Sequence, residues 1–512
     1  MPKVIKIYGP PGTGKTTTLI SILKTVLESG VLPTRVAYIT HTKAACEEVK
    51  SRVFEQLGIS KKEMKWFRTI HSLCCGMTQI TYNDIWGYKD AQDFKRDTGY
   101  YIKGNFDVEA LEEFGVEDEG YDVVLFADQL AKSQCKDLAE IVPMMPPSAK
   151  LLNPHEFLDT YDAWKNENGK KDFTDMLLEY RDGQYDPGEV DVVIVDEAQD
   201  LSKLQWQIVE KYAANADELY IAGDDDQSIY KFLGADEYGF LDHEADETRV
   251  LTHSYRCPHV VGTRATSIIR NIEQRQDKEV DWKDAEAEVQ VYNNDPMFLP
   301  WADWASGEST CMVLTRHRRQ MYDVRKMLNK MKIPHTVGGK SMATSPMGKM
   351  IRVYLELIHD TMRFRPSVVG QMLEAIGDKT QARKIRDLGV KDRKITLSRE
   401  DIVIPYVDDW PSLFTDKRHE LAQILVLRQQ INEFGLGIIG PMPNIDISTY
   451  HSSKGREADH VVLYTDCYKS TWDEQQDNPD SEIRLAYVGI TRSKGSVTII
   501  TPRTMMYLTA LV

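Results

Sequence analysis

Cysteine is scarce in this chain and is not arranged for bonding. Seven cysteines lie scattered through 512 residues, none forms a CxxC pair, and only Cys74 and Cys75 are adjacent. That pattern offers neither a disulfide framework nor a structural zinc site, and it fits a reducing, cytoplasmic compartment. Long apolar runs are missing too. No stretch approaches the ~18 uninterrupted apolar residues of a membrane span. The opening residues Met1-Pro2-Lys3-Val4-Ile5-Lys6 hold no apolar core of signal-peptide length. No fixed short repeat and no low-complexity tract is present. A surplus of positive charge is also absent. The net charge is −16, which excludes a histone-like basic coat. It does not exclude a local nucleic-acid channel, because such a channel depends on where the charges sit.

Length and composition are those of a multidomain globular protein: 42% hydrophobic and 28% charged residues over 512 positions. Residues 4–8 read as a β-strand, 9–14 as a glycine-proline loop and 16–27 as a helix. Further strands are expected at 35–40, 190–195 and 218–222, with a helix at 43–57. Near-continuous apolar strands alternating with helices predict a parallel sheet covered on both faces. A second such set begins near 248, with strands at 289–292, 311–315, 460–464 and 496–500. Residues 77–170 break the pattern. Between 84 and 128 there are 13 acidic and 4 basic residues, whereas 1–76 holds 12 basic and 5 acidic. The acidic stretch reads as a solvated insertion on a more basic platform. Residues 340–440 are helical in pattern. The expected division is therefore a first α/β core at 1–76 and 171–247, with an acidic helical insertion at 77–170. A second core follows at 248–339 and 441–512, with a shorter helical insertion at 340–440.

Two segments carry phosphate chemistry. Gly9-Pro10-Pro11-Gly12-Thr13-Gly14-Lys15-Thr16 matches G-x-x-x-x-G-K-[ST] in full, between a strand and a helix. Glycines let backbone N–H groups wrap phosphates, and the helix N-terminus adds partial positive charge. Lys15 is expected to reach the β- and γ-phosphates of ATP, and the Thr16 hydroxyl to hold Mg²⁺. Gly9, Pro10, Gly12, Thr13, Gly14 and Thr17 complete the candidate cradle. Further on, an apolar strand ends in Asp196-Glu197. Asp196 suits a metal-holding carboxylate, and Glu197 suits the group that deprotonates an attacking water. The bland alternative for this pair is a helix N-cap.

Asp196-Glu197-Ala198-Gln199-Asp200 resembles the DEAQD box of the UvrD/Rep/PcrA family of superfamily-one helicases. Other matches follow in order: Tyr38-Ile39-Thr40-His41-Thr42-Lys43 (motif Ia), Thr69-Ile70-His71-Ser72 (Ib) and Asp172-Phe173-Thr174-Asp175-Met176-Leu177-Leu178. Gly223-Asp224-Asp225-Asp226-Gln227-Ser228-Ile229-Tyr230 resembles motif III, and His253-Ser254-Tyr255-Arg256 resembles motif IV. Thr449 to Glu457 resembles motif V, and Arg484 to Arg492 motif VI. The resemblance implies two RecA-like cores, ATP and Mg²⁺ as cofactors, and a DNA-stimulated ATPase. Its implied partners are single-stranded DNA and duplex with a single-stranded tail, traversed 3′→5′. It further implies that Gln227 senses the γ-phosphate, that Arg256 and Arg492 are arginine fingers from the second core, that Tyr255 stacks on the base and that Glu457 meets the ribose or triphosphate. Arg484 fits either a supporting or a purely structural arginine. DNA contacts are implied at Thr42, His71 and His451, with Tyr230 and Phe232 as base-stacking candidates. For each aromatic, core packing is the competing use.

The sequence departs from the family in places. His41 replaces a phenylalanine, and Phe232-Leu233 replaces a tryptophan-arginine. The family's glutamine segment ahead of the P-loop has no counterpart before Gly9, so relaxed choice between adenine and guanine is expected. Two rival functions share some of these features. The same motifs serve a translocase that moves or strips proteins without unwinding. A binding module with a vestigial pocket predicts broken catalytic positions, and none is broken.

Overall fold

The computed structural model describes every residue except 79, 103–119, 145–152, 186–189, 392–393, 406, 416 and 440–441. Part of the acidic run in the first insertion thus lies outside the described residues. The chain forms two compact units: Met1–Ala287 with Asp473–Thr491, and Glu288–Trp472 with Arg492–Val512.

The first unit is built on six parallel strands: β1 (Lys3–Tyr8), β2 (Val36–Thr40), β3 (Trp66–Thr69), β4 (Val192–Val195), β5 (Glu218–Gly223) and β6 (Glu247–Val250). Their order is β3-β2-β4-β5-β1-β6. Side chains alternate across the sheet. Ile5, Ile7, Val192 and Ile194 face Leu19 and Leu23 of the helix Lys15–Glu28. Val193, Val195, Leu219 and Ile221 face Leu204 and Ile208 of the helix Lys203–Ala213. Both faces are covered, which explains why these strands read as continuous apolar runs. The register pairs Tyr8 with Gly223 and Ile39 with Val195, so the carboxyl ends of β1, β2, β4 and β5 open together at one edge. Ligands of open parallel sheets bind at that edge. A short parallel pair, β7 (His253–Pro258) and β8 (Asp281–Lys283), belongs to the same unit.

The sequence division placed 248–339 in the second core, but the contacts draw 248–287 and 473–491 to the first unit. The physical reason is local. β6 pairs alongside β1 as far as Val250, β7 lies on the P-loop, and the helix Asp480–Ile490 packs against the helix His259–Ile269.

The second unit repeats the architecture with β9 (Val289–Tyr292), β10 (Cys311–Thr315), β11 (Thr336–Val337), β12 (Ile445–Thr449), β13 (Ala458–Tyr464) and β14 (Ser493–Ile500). All pairings are parallel, in the order β11-β12-β10-β13-β14-β9. These are two RecA-like cores. Each carries a helical insertion with its own core. The first insertion packs Phe94, Phe157, Tyr161 and Trp164, and the second packs Ile351, Tyr354, Val369 and Leu427. Among the described residues, no helix is long and apolar enough to cross a membrane.

Candidate functional site

The loop after β1 turns tightly because two glycines permit it. A Cβ at Gly9 would lie 2.0 Å from Lys15 Cγ, so the lysine side chain folds across the position a larger residue would fill. Gly12 has φ +75° and brings its carbonyl within 2.9 Å of the Tyr255 backbone N–H, which donates to it. The Ser254 hydroxyl donates to the Pro11 carbonyl at 2.7 Å. β7 is thereby fastened to the loop, which sets Arg256 directly beside Gly12. Arg256 thus shares a compact unit with the P-loop. Within the loop, Thr13 is buried and its hydroxyl donates to the Pro10 carbonyl at 2.8 Å. The Thr17 hydroxyl accepts from the Arg52 guanidinium at 2.7 Å. Tyr255 is exposed, with its ring edge-on to His253.

Lys15, Thr16, Asp196 and Glu197 converge across the carboxyl ends of β1 and β4. Lys15 Nζ donates to the Gly9 carbonyl at 2.9 Å and lies 3.9 Å from Glu197 Oε1. The Thr16 hydroxyl donates to Asp196 Oδ2 at 2.9 Å, and the Tyr38 hydroxyl donates to the same oxygen at 3.1 Å. Burial, then the adjacent Glu197 carboxylate, push Asp196 up to about 6. Such a carboxylate, with a threonine hydroxyl at hydrogen-bond distance, is a donor set that a hard divalent cation would satisfy. Glu197 takes a left-handed conformation at φ +56°, unusual for a residue with a Cβ and characteristic of strained functional turns. Its N–H donates to Asp196 Oδ1 at 3.0 Å, and Gln199 Nε2 donates to its Oε2 at 2.7 Å.

Gln199 has a second partner that the sequence did not disclose. Its Oε1 accepts from the Asp224 N–H at 3.0 Å. Asp224 Oδ2 in turn accepts from Gln227 Nε2 at 2.6 Å. One hydrogen-bonded chain therefore runs Glu197–Gln199–Asp224–Gln227, from the end of β4 to the turn after β5. Three residues beyond Gln227, the Tyr230 ring lies parallel to His41, centroids 6.2 Å apart. Phe232 packs obliquely on Tyr230 at 6.3 Å. His41, His71 and Tyr230 line one cavity of about 490 Å³, together with Trp86 and Phe173. Phe173 meets His71 edge-on at 5.8 Å, and burial with the nearby His41 lowers His71 to about 4. Thr42 lies outside this lining and caps the helix Lys43–Leu57 by accepting from the Ala45 N–H.

Arg484 is buried, paired with Glu237, and donates to the Asp225 carbonyl at 3.2 Å. Those contacts give it a structural place in the first unit. In the second unit, Arg492 is 1% exposed and its carbonyl accepts from the Ala458 N–H at 3.0 Å. His451 is buried in the turn after β12, and Glu457 is exposed.

The comparisons agree with this layout. Residues 2–248 match the UvrD/REP helicase N-terminal domain, and 404–504 match the UvrD-like helicase C-terminal domain. The chain belongs to the UvrD/Rep/PcrA family. It is 26% identical over 296 residues to the ATP-dependent DNA helicase PcrA of Staphylococcus aureus, covering 53% of this chain and 38% of PcrA. It is 26% identical over 311 residues to YjcD of Bacillus subtilis, covering 57% of this chain and 39% of YjcD. A DNA helicase II homolog of Mycoplasma capricolum matches at 27% over 304 residues, covering 54% and 40%. The chain spans about two fifths of the length of these curated relatives. Sequence reading of the family motifs missed Gln199 as a tether for Glu197, and His41 as the partner of Tyr230. Gln199 stood in the DEAQD box, so its position was visible while its contacts were not.

Proposed function

We propose that this UvrD/Rep/PcrA-family chain is an ATP-driven motor that moves along single-stranded DNA and unwinds duplex bearing a single-stranded tail. The carrying observation is the chain Glu197–Gln199–Asp224–Gln227, which leads from the candidate hydrolytic carboxylate to within three residues of the Tyr230–His41 ring pair. In this reading Glu197 accepts the proton of the attacking water, and Lys15 neutralises phosphate charge. Thr16 and Asp196 would hold Mg²⁺, which offsets negative charge on the transferring phosphoryl group when bound. Gln227 registers the γ-phosphate. Any change in its position passes along the same turn to Tyr230, where bases stack. Arg256 and Arg492 act as arginine fingers, Tyr255 stacks on the base and Glu457 meets the sugar or triphosphate. Polarity is 3′→5′, and the setting is cytoplasmic. The relatives' names, ATP-dependent DNA helicase among them, support the substrate class.

Three measurements test this. ATP hydrolysis by the wild-type chain should rise on adding single-stranded DNA. Lys15→Ala should abolish it, and Glu197→Gln should bind ATP but fail to turn it over; wild-type turnover by Glu197→Gln overturns the assigned role. Arg256→Ala and Arg492→Ala should each cost a factor of order 10³ in turnover, with far smaller losses in nucleotide affinity. Strand displacement should require a 3′ tail; translocation without displacement on either tail would favour a motor that does not unwind.

A further inference from the structure

The stretch between the helix His259–Ile269 and β8 belongs to no motif, yet it sends two cations into the turn after β5. Lys278 is 5% exposed, and its Nζ lies 2.7 Å from Asp224 Oδ1 and 2.9 Å from Asp226 Oδ2, with Asp225 also in contact. Arg275 grips Asp226 with two parallel hydrogen bonds, Nε to Oδ1 at 2.8 Å and Nη2 to Oδ2 at 2.7 Å. The Gln276 N–H donates to Asp225 Oδ2 at 2.8 Å. Among the described residues, Asp224, Asp225 and Asp226 are the one acidic group spaced to hold a metal ion. An ammonium group occupies that position instead. Burial by itself would lower the lysine's pKa, but the three carboxylates outweigh it and keep Lys278 charged.

The consequence runs through Asp224. One of its oxygens takes Lys278 and the other takes the Gln227 amide. A buried carboxylate that loses the cation bound to it either takes up a proton or turns toward another donor. A protonated carboxyl can donate as well as accept, so it no longer dictates which end of the Gln227 amide faces it. We infer that Lys278 is a positioning residue for hydrolysis: by fixing the Asp224 carboxylate it sets the orientation of Gln227, and through the Asp224 backbone it steadies the Gln199 contact to Glu197. This inference rests on the γ-phosphate role proposed for Gln227. The chemistry at stake is alignment, and small misplacements near a reacting centre cost about 100-fold in rate.

The test compares steady-state, DNA-stimulated ATP hydrolysis and unfolding midpoints for the wild-type chain and three variants. Lys278→Met should lower kcat by about 10- to 100-fold while KM for ATP moves less than about twofold. It should also destabilise the fold, because it strands buried carboxylates. Lys278→Arg keeps the charge and should recover part of kcat. The decisive variant is Asp225→Asn with Lys278→Met. The Asp225 carboxylate touches Lys278 and the Gln276 N–H, whereas the Gln227 amide donates to Asp224, so this pair removes one charge of each sign and leaves Asp224 without Lys278. Its midpoint should return toward wild type while kcat stays low. Recovery of kcat together with the midpoint, or wild-type kcat in Lys278→Met, overturns the inference and leaves the proposed function standing. A wild-type chain that does not hydrolyse ATP in response to DNA overturns both.

Discussion

Gly12 is the point where the nucleotide loop is pressed against β7. At φ +75° an added Cβ would sit 2.4 Å from Arg256 Cβ and 2.9 Å from the Ser254 hydroxyl. Gly12→Ala therefore combines the left-handed cost of about 1–2 kcal/mol with a steric conflict against β7. The expected result is a lower unfolding midpoint and weaker nucleotide binding together, since the displaced strand carries Tyr255 and Arg256. A fluorescent nucleotide titration beside a denaturant melt checks both; unchanged values in each would mean that β7 yields without penalty. Glu197 presents the opposite case, a left-handed residue with a side chain. Asp196 and Gln199 hold it there by hydrogen bonds.

At the level of single elements, the helix Phe173–Asp182 shows how a cap can also support the proposed DNA-binding surface. Asp172 Oδ1 accepts from the N–H groups of Thr174 and Asp175, each at 2.9 Å, and Oδ2 accepts from buried Lys165 at 2.8 Å. Asp172→Ala should cost about 2–4 kcal/mol, a lost cap plus a weakened buried ion pair. It should also weaken binding to a single-stranded oligonucleotide, because the first turn sets Phe173 against His71. Urea melts and a DNA titration measure the two effects separately. The P-loop was readable in sequence because it depends on residues a few positions apart, whereas 172–178 stood out only by resemblance and its helix was not predicted. β12 was not readable. Its sequence Ile-Asp-Ile-Ser-Thr looks half polar, yet all five residues are buried. Asp446 accepts from Ser448 two residues on, but also from Thr336, Gly339 and Arg456, which lie outside the strand. β6 was missed for the reverse reason: it is a half-exposed edge strand with little apolar character. The Lys278 contact to Asp224 joins residues 54 apart, and no local pattern announces it.

Across the whole molecule, histidines whose charged form is disfavoured by burial, His71 and His317 with His335 and His460, make stability depend on pH. Burial and His41 lower His71 to about 4; burial, Arg316 and His451 lower His317 to about 3. Both are neutral in the fold, whereas an unfolded histidine titrates near ~6.5. Between those values the unfolded chain binds more protons, so stability rises with pH there. The contribution is fully present above ~6.5 and is lost as pH falls through the folded values. Each histidine adds at most about 1.4 kcal/mol per pH unit in that window. Urea midpoints should fall from pH 7 to pH 5, and His71→Asn or His317→Asn should flatten that fall. An identical pH dependence in both variants would place the titrating groups elsewhere.

The route of the chain has a consequence for synthesis. The first unit is left at Ala287, re-entered at Asp473 and left again after Thr491. Its late helix supplies Arg484 to Glu237 and to the Asp225 carbonyl, and the Thr491 carbonyl takes the Cys257 thiol. A nascent chain emerging from the ribosome therefore cannot finish its N-terminal unit until residues 473–491 have been translated. Until then Glu237 waits without its arginine, beside the turn that carries Gln227. The nucleotide loop can form early, but the turn proposed to answer it is packed only once residues 473–491 have been made. For the same reason, a fragment cut at 287 should express as an incompletely packed unit, while one that restores 473–491 on a linker should melt cooperatively.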